Sequence, residues 1–412
     1  MEHYITEIKI DELRHLSNLT ISLNPEHRQN LIITGKNGSG KTSLLLSLQK
    51  YLQSISDGQL IALKNYHIPK LLELEKVLEE QKADAEQFSA RLEYQEKLQH
   101  VEKYKDGVDF ILNQYWDLEF LFNQGEFITA FFPADRKMSI LRAQGVEDVR
   151  LAYYYDVHST ASDYLLKYMV HLKTQQIYAR NEGDKVTDNR IQKWFDRFVD
   201  ALRVLLDDST VTLEYSYREY DFKIHEQGRK PFGFEELSDG YSSVIHIVSD
   251  LILRMDKNWL LHNELSKYDI EGIVLIDELE THLHIGLQKK IMPFLVKFFP
   301  RIQFIVTTHS PYILNSIPNA KAYDLERHTE LENLPMYSSD GLAEGYFEAD
   351  AYSDELKEKL ERYKYLKERN GLTEEECAER AKLRSELKNI PQGLSIEARD
   401  KFEEIEGIYD KS

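Results

Sequence analysis

Two short stretches of this chain hold residue types that handle phosphate and a divalent cation. Gly35-Lys36-Asn37-Gly38-Ser39-Gly40-Lys41-Thr42 has the spacing G-x-x-x-x-G-K-[ST]. Glycines at Gly35, Gly38 and Gly40 let the backbone wrap a phosphate with its N–H groups, those of Asn37 and Ser39 included, and a following helix N-terminus adds positive potential. Lys41 can reach the β- and γ-phosphates of a nucleotide, and Thr42 can put its hydroxyl on Mg²⁺. The second stretch is Gly272-Ile273-Val274-Leu275-Ile276-Asp277-Glu278, four apolar residues followed by two carboxylates. In open α/β sheets ligands bind beyond the carboxyl ends of the strands, so Asp277 is placed to hold the metal, and Glu278 to orient and deprotonate an attacking water. Two further pieces gain weight from their order in the chain. Phe304–Pro311 is a strand that ends in Thr-Thr-His-Ser, where His309 can contact a γ-phosphate. Leu237-Ser238-Asp239-Gly240-Tyr241 opens an apolar-faced helix, where Ser238 and the N–H of Gly240 present an anion site.

The elements that position these residues are legible in part. Leu31-Ile32-Ile33 reads as a buried strand before the glycine loop, and Ser43–Leu52 as the helix after it. From Pro69 to Gly107 the chain has no Gly or Pro and is rich in helix formers. Leu71, Leu74, Leu78, Gln81, Ala85, Phe88 and Leu92 follow a heptad spacing. This predicts either a helical or coiled-coil insertion or one amphipathic helix on the body. A strand is expected around Ile128 and Phe131-Phe132, and a helix over 189–206. Paired strands are expected at Val211–Arg218 and Tyr220–Ile224, and alternating strands and helices over 272–320. From 351 onward the chain is charged and helical, with a capping box at Thr373…Glu376. Leu356, Leu360 and Tyr363 make a thin apolar stripe there, which serves a solvated helix or a docked partner. The domain division that follows is 1–60, an N-terminal head segment; 61–125, a helical insertion; 126–330, the rest of the head; and 331–412, a charged helical region.

Composition narrows the class. The 412 residues carry 52 Lys+Arg and 71 Asp+Glu, a net charge of −19, which argues against a nucleic-acid coat protein and confines any DNA patch to a local area. No apolar run is long enough for a transmembrane helix, and Met1-Glu2-His3-Tyr4 lacks the plan of a signal peptide. Cys377 is the single cysteine. It excludes an intramolecular disulfide or a Cys-based zinc site, fits a cytoplasmic location, and is expected to be buried and inert.

Taken in order, the four pieces resemble Walker A, the ABC signature, Walker B with its catalytic glutamate, and the switch histidine of ABC-type ATPases of the SMC, RecF and OLD superfamily. Together with Phe131-Phe132-Pro133-Ala134-Asp135-Arg136 they are similar to bacterial anti-phage defence ATPases of the Septu type or associated with retrons. The resemblance implies an α/β fold: an ABC-type P-loop head with a mainly parallel sheet, a helical insertion and a helical tail. It implies ATP and Mg²⁺ as ligands and a head-to-head homodimer or higher oligomer, with Ser238 and Gly240 acting on the partner's ATP. It also implies a separate nuclease subunit, often of HNH type, with DNA as a further partner and no membrane. The sequence departs from the common signature at Asp239 and Tyr241, and the Asp135-Arg136 region occupies the slot of the Q-loop glutamine. Arg14 stands where SMC-like heads bring an early arginine toward the base. Glu280, His282 and His284 alternate; they make either a metal cluster or, by resemblance, a loop that crosses to a partner subunit. No nuclease centre is expected in this chain. The alternative is a DNA repair or chromosome-maintenance ATPase of RecF or SMC type. A transporter subunit fits less well, because 39 residues separate Ser238 from Asp277.

Overall fold

The computed structural model describes residues 2–79, 84–137, 139, 141–261, 269–331, 334–338, 341–342, 346, 354–369, 371–389 and 396–407. They form two compact units, residues 1–336 and 337–412. In the first unit β1 (Ile5–Leu13), β2 (Leu16–Ser22) and β3 (Asn30–Thr34) are followed by α1 (Lys41–Ser56). Helix α2 (Leu60–Ala62) runs through a π-helical turn at Leu63–His67 into α3 (Ile68–Glu79), and α4 (Asp84–Glu102) packs on α3. Next come β4 (Val108–Leu112), α5 (Leu118–Gln124), β5 (Phe127–Phe132), α6 (Leu165–Glu182) and α7 (Lys185–Leu206). The hairpin β6 (Thr212–Ser216) and β7 (Asp221–His225) leads to α8 (Asp239–Leu261). The unit continues through β8 (Glu271–Ile276), α9 (Ile285–Phe298), β9 (Ile302–Thr307), α10 (Pro311–Leu314), β10 (Ala320–Asp324) and β11 (Thr329–Leu331).

The functional sheet has the order β11-β10-β3-β9-β8-β5. β10, β3, β9, β8 and β5 are parallel, and β11 is an antiparallel edge. Every residue of β3, β8 and β9 is buried, which is why these strands read as continuous apolar runs rather than alternations. A second sheet, β2-β1-β4, is antiparallel. Helix α1 touches both β4 and β8. It buries Leu44, Leu45, Leu48, Tyr51, Leu52 and Ile55 in one core with residues of both sheets, so the helix behind the glycine loop is held on several sides.

Two expectations about the insertion are corrected. It is a pair of packed helices, as a helical insertion requires and unlike one amphipathic helix on the body, and it ends at Glu102 rather than at 125. Residues 108–124 return to the head, because Val108–Leu112 completes the β1 sheet and α5 packs on α1. The heptad does not persist either. Leu71 and Leu74 are buried, but Phe88 and Leu92 are exposed, because α4 turns a different face to α3 than a straight heptad would. Gln81 and the side chain of Ala85 lie outside the described residues.

In the second unit α11 (Asp354–Glu368), α12 (Glu374–Lys388) and α13 (Ile396–Glu406) enclose Leu360, Tyr363, Leu366, Leu383, Leu387 and Phe402. The stripe at Leu356, Leu360 and Tyr363 is therefore part of this unit's own core. Thr373 and Glu376 form the expected reciprocal cap. Cys377 is exposed, not buried.

The amino end of the chain is tied to the floor of the main sheet by a buried polar contact. The N–H of His3 donates to Glu271 Oε2 at 2.7 Å, its Nδ1 lies 2.9 Å from the same oxygen, and its Nε2 lies 2.9 Å from Asp117 Oδ1. The hydrogen bond to Glu271 holds the imidazole above its ordinary value against the opposing effect of burial, with Asp117 adding to the rise. Because the folded value exceeds the unfolded one, this stabilisation is complete below about pH 6.5 and is lost as pH rises through the raised value. His3→Gln should therefore cost roughly 1–3 kcal/mol in urea unfolding at mildly acidic pH, and less as the buffer becomes alkaline. A cost that is flat or grows with pH would contradict this account.

Candidate functional site

The site lies at the carboxyl edge of β3, β9, β8 and β5, and the strand order decides which loops meet. β3 delivers Gly35–Thr42, β8 delivers Asp277 and Glu278, and β9 lies between them and delivers Thr307, Thr308 and His309. Gly40 adopts φ 95°, a conformation that disfavours any side chain, and a Cβ there would come within 2.9 Å of Leu16 at the start of β2, beside the turn after β1. Arg14, at φ 57°, is exposed in that same turn.

Thr42 Oγ1 donates to Asp277 Oδ2 at 2.8 Å, and Thr307 Oγ1 donates to Asp277 Oδ1 at 2.6 Å. Both oxygens of a buried carboxylate are thus engaged, one by the start of α1 behind the glycine loop and one by the end of the neighbouring strand β9. Thr307 Oγ1 in turn accepts from the N–H of Glu278 at 2.8 Å. Lys41 curls over its own loop, donating to Gly35 O at 2.8 Å and Lys36 O at 3.0 Å. Burial pushes its pKa down, while the carboxylates of Glu278, Glu280, Asp277 and Asp324 oppose the fall.

Glu278 sits at φ 42°, a left-handed conformation that costs a non-glycine residue about 1–2 kcal/mol. Such a conformation persists where its surroundings over-determine it, and here Arg136 does so. From the loop after β5, its guanidinium donates to Asp277 O at 2.8 Å, Glu278 O at 3.2 Å, Leu279 O at 3.0 Å and Pro133 O at 3.1 Å. Burial pulls Arg136 down to about 10, which leaves it charged at neutral pH. The residue in the Q-loop slot is therefore a clamp on the backbone that carries Asp277 and Glu278.

Glu280 reaches the third strand end. It accepts from Thr308 Oγ1 at 2.7 Å and from the N–H of His309 at 2.5 Å. The Nε2 of His309 is buried and, among the described residues, has no hydrogen-bond partner. Burial, with the Lys41 ammonium, pushes its pKa down, so the ring is neutral at neutral pH. His284 turns away from Glu280: it caps α9, accepting from the N–H of Leu287 at 3.3 Å, and its Nε2 lies 3.3 Å from Tyr241 Oη. Among the described residues no three His, Cys, Asp or Glu side chains are grouped to hold a metal, which corrects the metal-cluster reading of Glu280, His282 and His284.

The signature stretch opens α8 and packs against the loop after β8. Ser238 O accepts from the N–H of Ser242 at 2.9 Å and opens α8. Gly240 abuts the loop after β8, where a Cβ would meet His282 O at 2.4 Å. Among the described residues no hydrogen bond joins Ser238 or Gly240 to Gly35–Thr42. A recess of about 290 Å³ opens beside them, lined by residues that include Arg136, Lys137, Arg142 and Ser242. Further along α8 a buried pair, Arg254 to Asp250 at 2.5 Å, ties the helix to β5 and the 156–162 loop through Thr129 O, Asp156 O and the N–H groups of Ala161 and Ser162.

Sequence reasoning did not find Thr307, Glu280 and Arg136 in these roles. Thr307 and Glu280 lie two positions from residues it chose, and it marks the Asp135-Arg136 slot, but the clamp itself carries no local signal because three of the four carbonyls that Arg136 holds lie more than 140 positions away.

Residues 31–315 match the family described as "AAA domain, putative AbiEii toxin, Type IV TA system". The chain belongs to this AAA family. Among its relatives is the Septu protein PtuA of Bacillus mycoides (strain KBAB4), 30% identical over 243 residues, which cover 51% of this chain and 32% of that one. The retron Ec83 probable ATPase of Escherichia coli is 40% identical over 91 residues, 22% of this chain and 16% of that one. The retron Vc95 probable ATPase of Vibrio cholerae serotype O1 biovar El Tor is 45% identical over 82 residues, 20% and 15% of the two chains. The chain thus matches about a third or less of the length of these relatives. An SMC head bound to the C-winged helix domain of ScpA superposes with a TM-score of 0.37 at 11% identity, covering 78% of this chain and 94% of that one, a likeness too slight to build on. No described helix is long and apolar enough to cross a membrane.

The Arg136 clamp has a measurable consequence for this AAA-family head. Arg136→Lys keeps the charge but cannot reach several carbonyls in a planar fork. It should cost about 2–4 kcal/mol in denaturant unfolding and lower any nucleotide turnover by a factor of ten or more. Wild-type stability and turnover in that variant would remove Arg136 from this role.

Proposed function

We propose that the chain is an ATPase of anti-phage defence that binds ATP and Mg²⁺ at Gly35–Thr42 and Asp277, hydrolyses ATP with Glu278, and regulates a separate nuclease subunit, of the HNH type by resemblance. The observation that carries the ATPase reading is the shared carboxylate. Thr42 and Asp277 come from distant parts of the chain and stand 2.8 Å apart, offering a hydroxyl and a carboxylate oxygen, hard donors of the kind Mg²⁺ takes alongside phosphate and water. When bound, the ion would neutralise charge on the phosphate oxygens. Lys41 is held by two carbonyls of its own loop and would exchange them for phosphate oxygens. Glu278, positioned by Arg136 and Thr307, would accept a proton from the attacking water. Neutral His309 would donate from its free nitrogen to the γ-phosphate and sense its loss through Glu280. The relatives named for Septu and retron systems support the defence setting over a RecF- or SMC-type role in DNA repair.

Ser238 and Gly240 would complete the site on a second copy, because among the described residues no hydrogen bond joins them to this chain's own glycine loop, and they open a long helix whose N-terminus favours an anion. That arrangement is isologous: each head gives one glycine loop and one signature.

Two measurements test the reading. Glu278→Gln should abolish phosphate release and accumulate an ATP-dependent dimer or higher oligomer by light scattering; unchanged turnover would sink the assignment of Glu278. Lys41→Ala and Ser238→Arg should each be inactive alone, while an equal mixture should regain about a quarter of the wild-type sites, since half the dimers are mixed and each holds one intact site. A mixture as inactive as its components would overturn the shared site and leave the Glu278 result standing.

A further inference from the structure

On the first unit, away from the residues discussed so far, helices α7 and α9 enclose a concave groove of about 690 Å³. Its walls are stripes at helical spacing: Arg197, Asp200 and Val204 on α7, and Lys289, Lys290, Pro293, Phe294 and Lys297 on α9, closed at one end by Phe298 and Pro300. Two properties set it apart. Four cationic residues and one carboxylate line it, in a chain whose net charge is −19; Lys290 is paired with Asp207 at 2.7 Å, while the exposed Lys289 and Lys297 make no ion pair among the described residues. Between the cations the surface is apolar, and Val204 is 49% exposed although its position continues the buried face of neither helix. In addition, Pro293 lies inside α9. It has no N–H to donate to the carbonyl of Lys289, one turn earlier in the helix.

We infer that this groove docks a partner protein through an acidic segment that carries an aromatic or aliphatic anchor residue. The volume is that of a pocket for one or two large side chains, the lysines at its rim complement flanking carboxylates, and an anchor in a concave apolar site is the usual source of affinity. Nucleic acid suits it less. Binding of single strands needs open aromatic faces, whereas Phe294 is buried and stacked on Phe298, with ring centroids 5.3 Å apart. The groove is also joined to the nucleotide edge. Gln288, next to Lys289, donates to Leu283 O at 2.7 Å and accepts from Ser310 Oγ at 2.7 Å, and Ser310 follows His309. The occupant of the groove thus rests on the helix that starts where the loop after Glu278 ends. Docking itself does not depend on the nucleotide reading.

A displayed random peptide library, selected on the full chain and counter-selected on Lys289→Glu/Lys297→Glu, tests the proposal. Both lysines are exposed, and a thermal melt would verify that the variant folds. The expected result is enrichment of sequences that pair carboxylates with an aromatic or aliphatic residue. A fluorescein-labelled selected peptide should bind wild type at least tenfold more tightly than the double variant, about 1.4 kcal/mol, and Val204→Asp should weaken it similarly. Failure to enrich over the double variant, or enrichment of neutral peptides bound equally by both proteins, would overturn the proposal. Labelled oligo-dT that binds wild type and is lost in the double variant would overturn it in favour of a nucleic-acid groove.

Discussion

Much of the site hangs on the carboxylate of Asp277, which receives one hydroxyl from the loop after β3 and another from the end of β9. Hydrogen bonds to a charged group contribute about 1.5–3 kcal/mol each, and these two join strand ends that are distant in sequence. Because Thr307 also accepts from the N–H of Glu278, the same contact sets the backbone that carries the second carboxylate. The parallel order β3-β9-β8 makes this possible: β9 sits between the phosphate loop and the acidic strand, so its terminal threonine can face both. Were β8 paired directly with β3, Thr307 would have no such position.

The second constraint is conformational. Glu278 is left-handed and Arg136 spans the carbonyls on either side of it. A buried guanidinium is costly unless its donors are satisfied, and the carbonyls of the turn take up both of its terminal nitrogens while the guanidinium holds the turn. From this turn the chain passes Glu280, which holds the His309 backbone, and His282, whose carbonyl crowds Gly240 at the start of α8, before entering α9. The short loop after Glu278 thus touches the third strand end and the start of α8 before it enters the wall of the α7–α9 groove.

Charge is distributed unevenly over the same framework. The chain as a whole is strongly acidic, and Asp277, Glu278 and Glu280 concentrate that charge around Lys41. The lysine-lined groove reverses the general sign locally, and a local reversal of sign is where partners of opposite charge gather.

Several features were legible from residues alone, for reasons of short range. The glycine loop, the helix behind it and the buried strands depend on neighbours within a few positions: φ preferences, helix termini and uninterrupted apolar runs. The capping box at Thr373 and the helix over 185–206, with its 3.6-residue apolar stripe, belong to the same class. The insertion was misread in extent because a run of good helix formers says nothing about where the chain reverses, and β4 acquires its meaning only by pairing with β1. Cys377 was misplaced because a lone cysteine has no pattern to read. The roles of Thr307, Glu280 and Arg136, the union of Thr42 with Asp277, and the packing of the signature stretch against the loop after β8 were decided by tertiary structure alone. Each rests on which strands lie side by side and which groups a side chain can reach, and those relations join residues 28 to 235 positions apart. Local spacing determined what chemistry the residues are equipped for; strand order and the burial of one arginine decided where that chemistry meets.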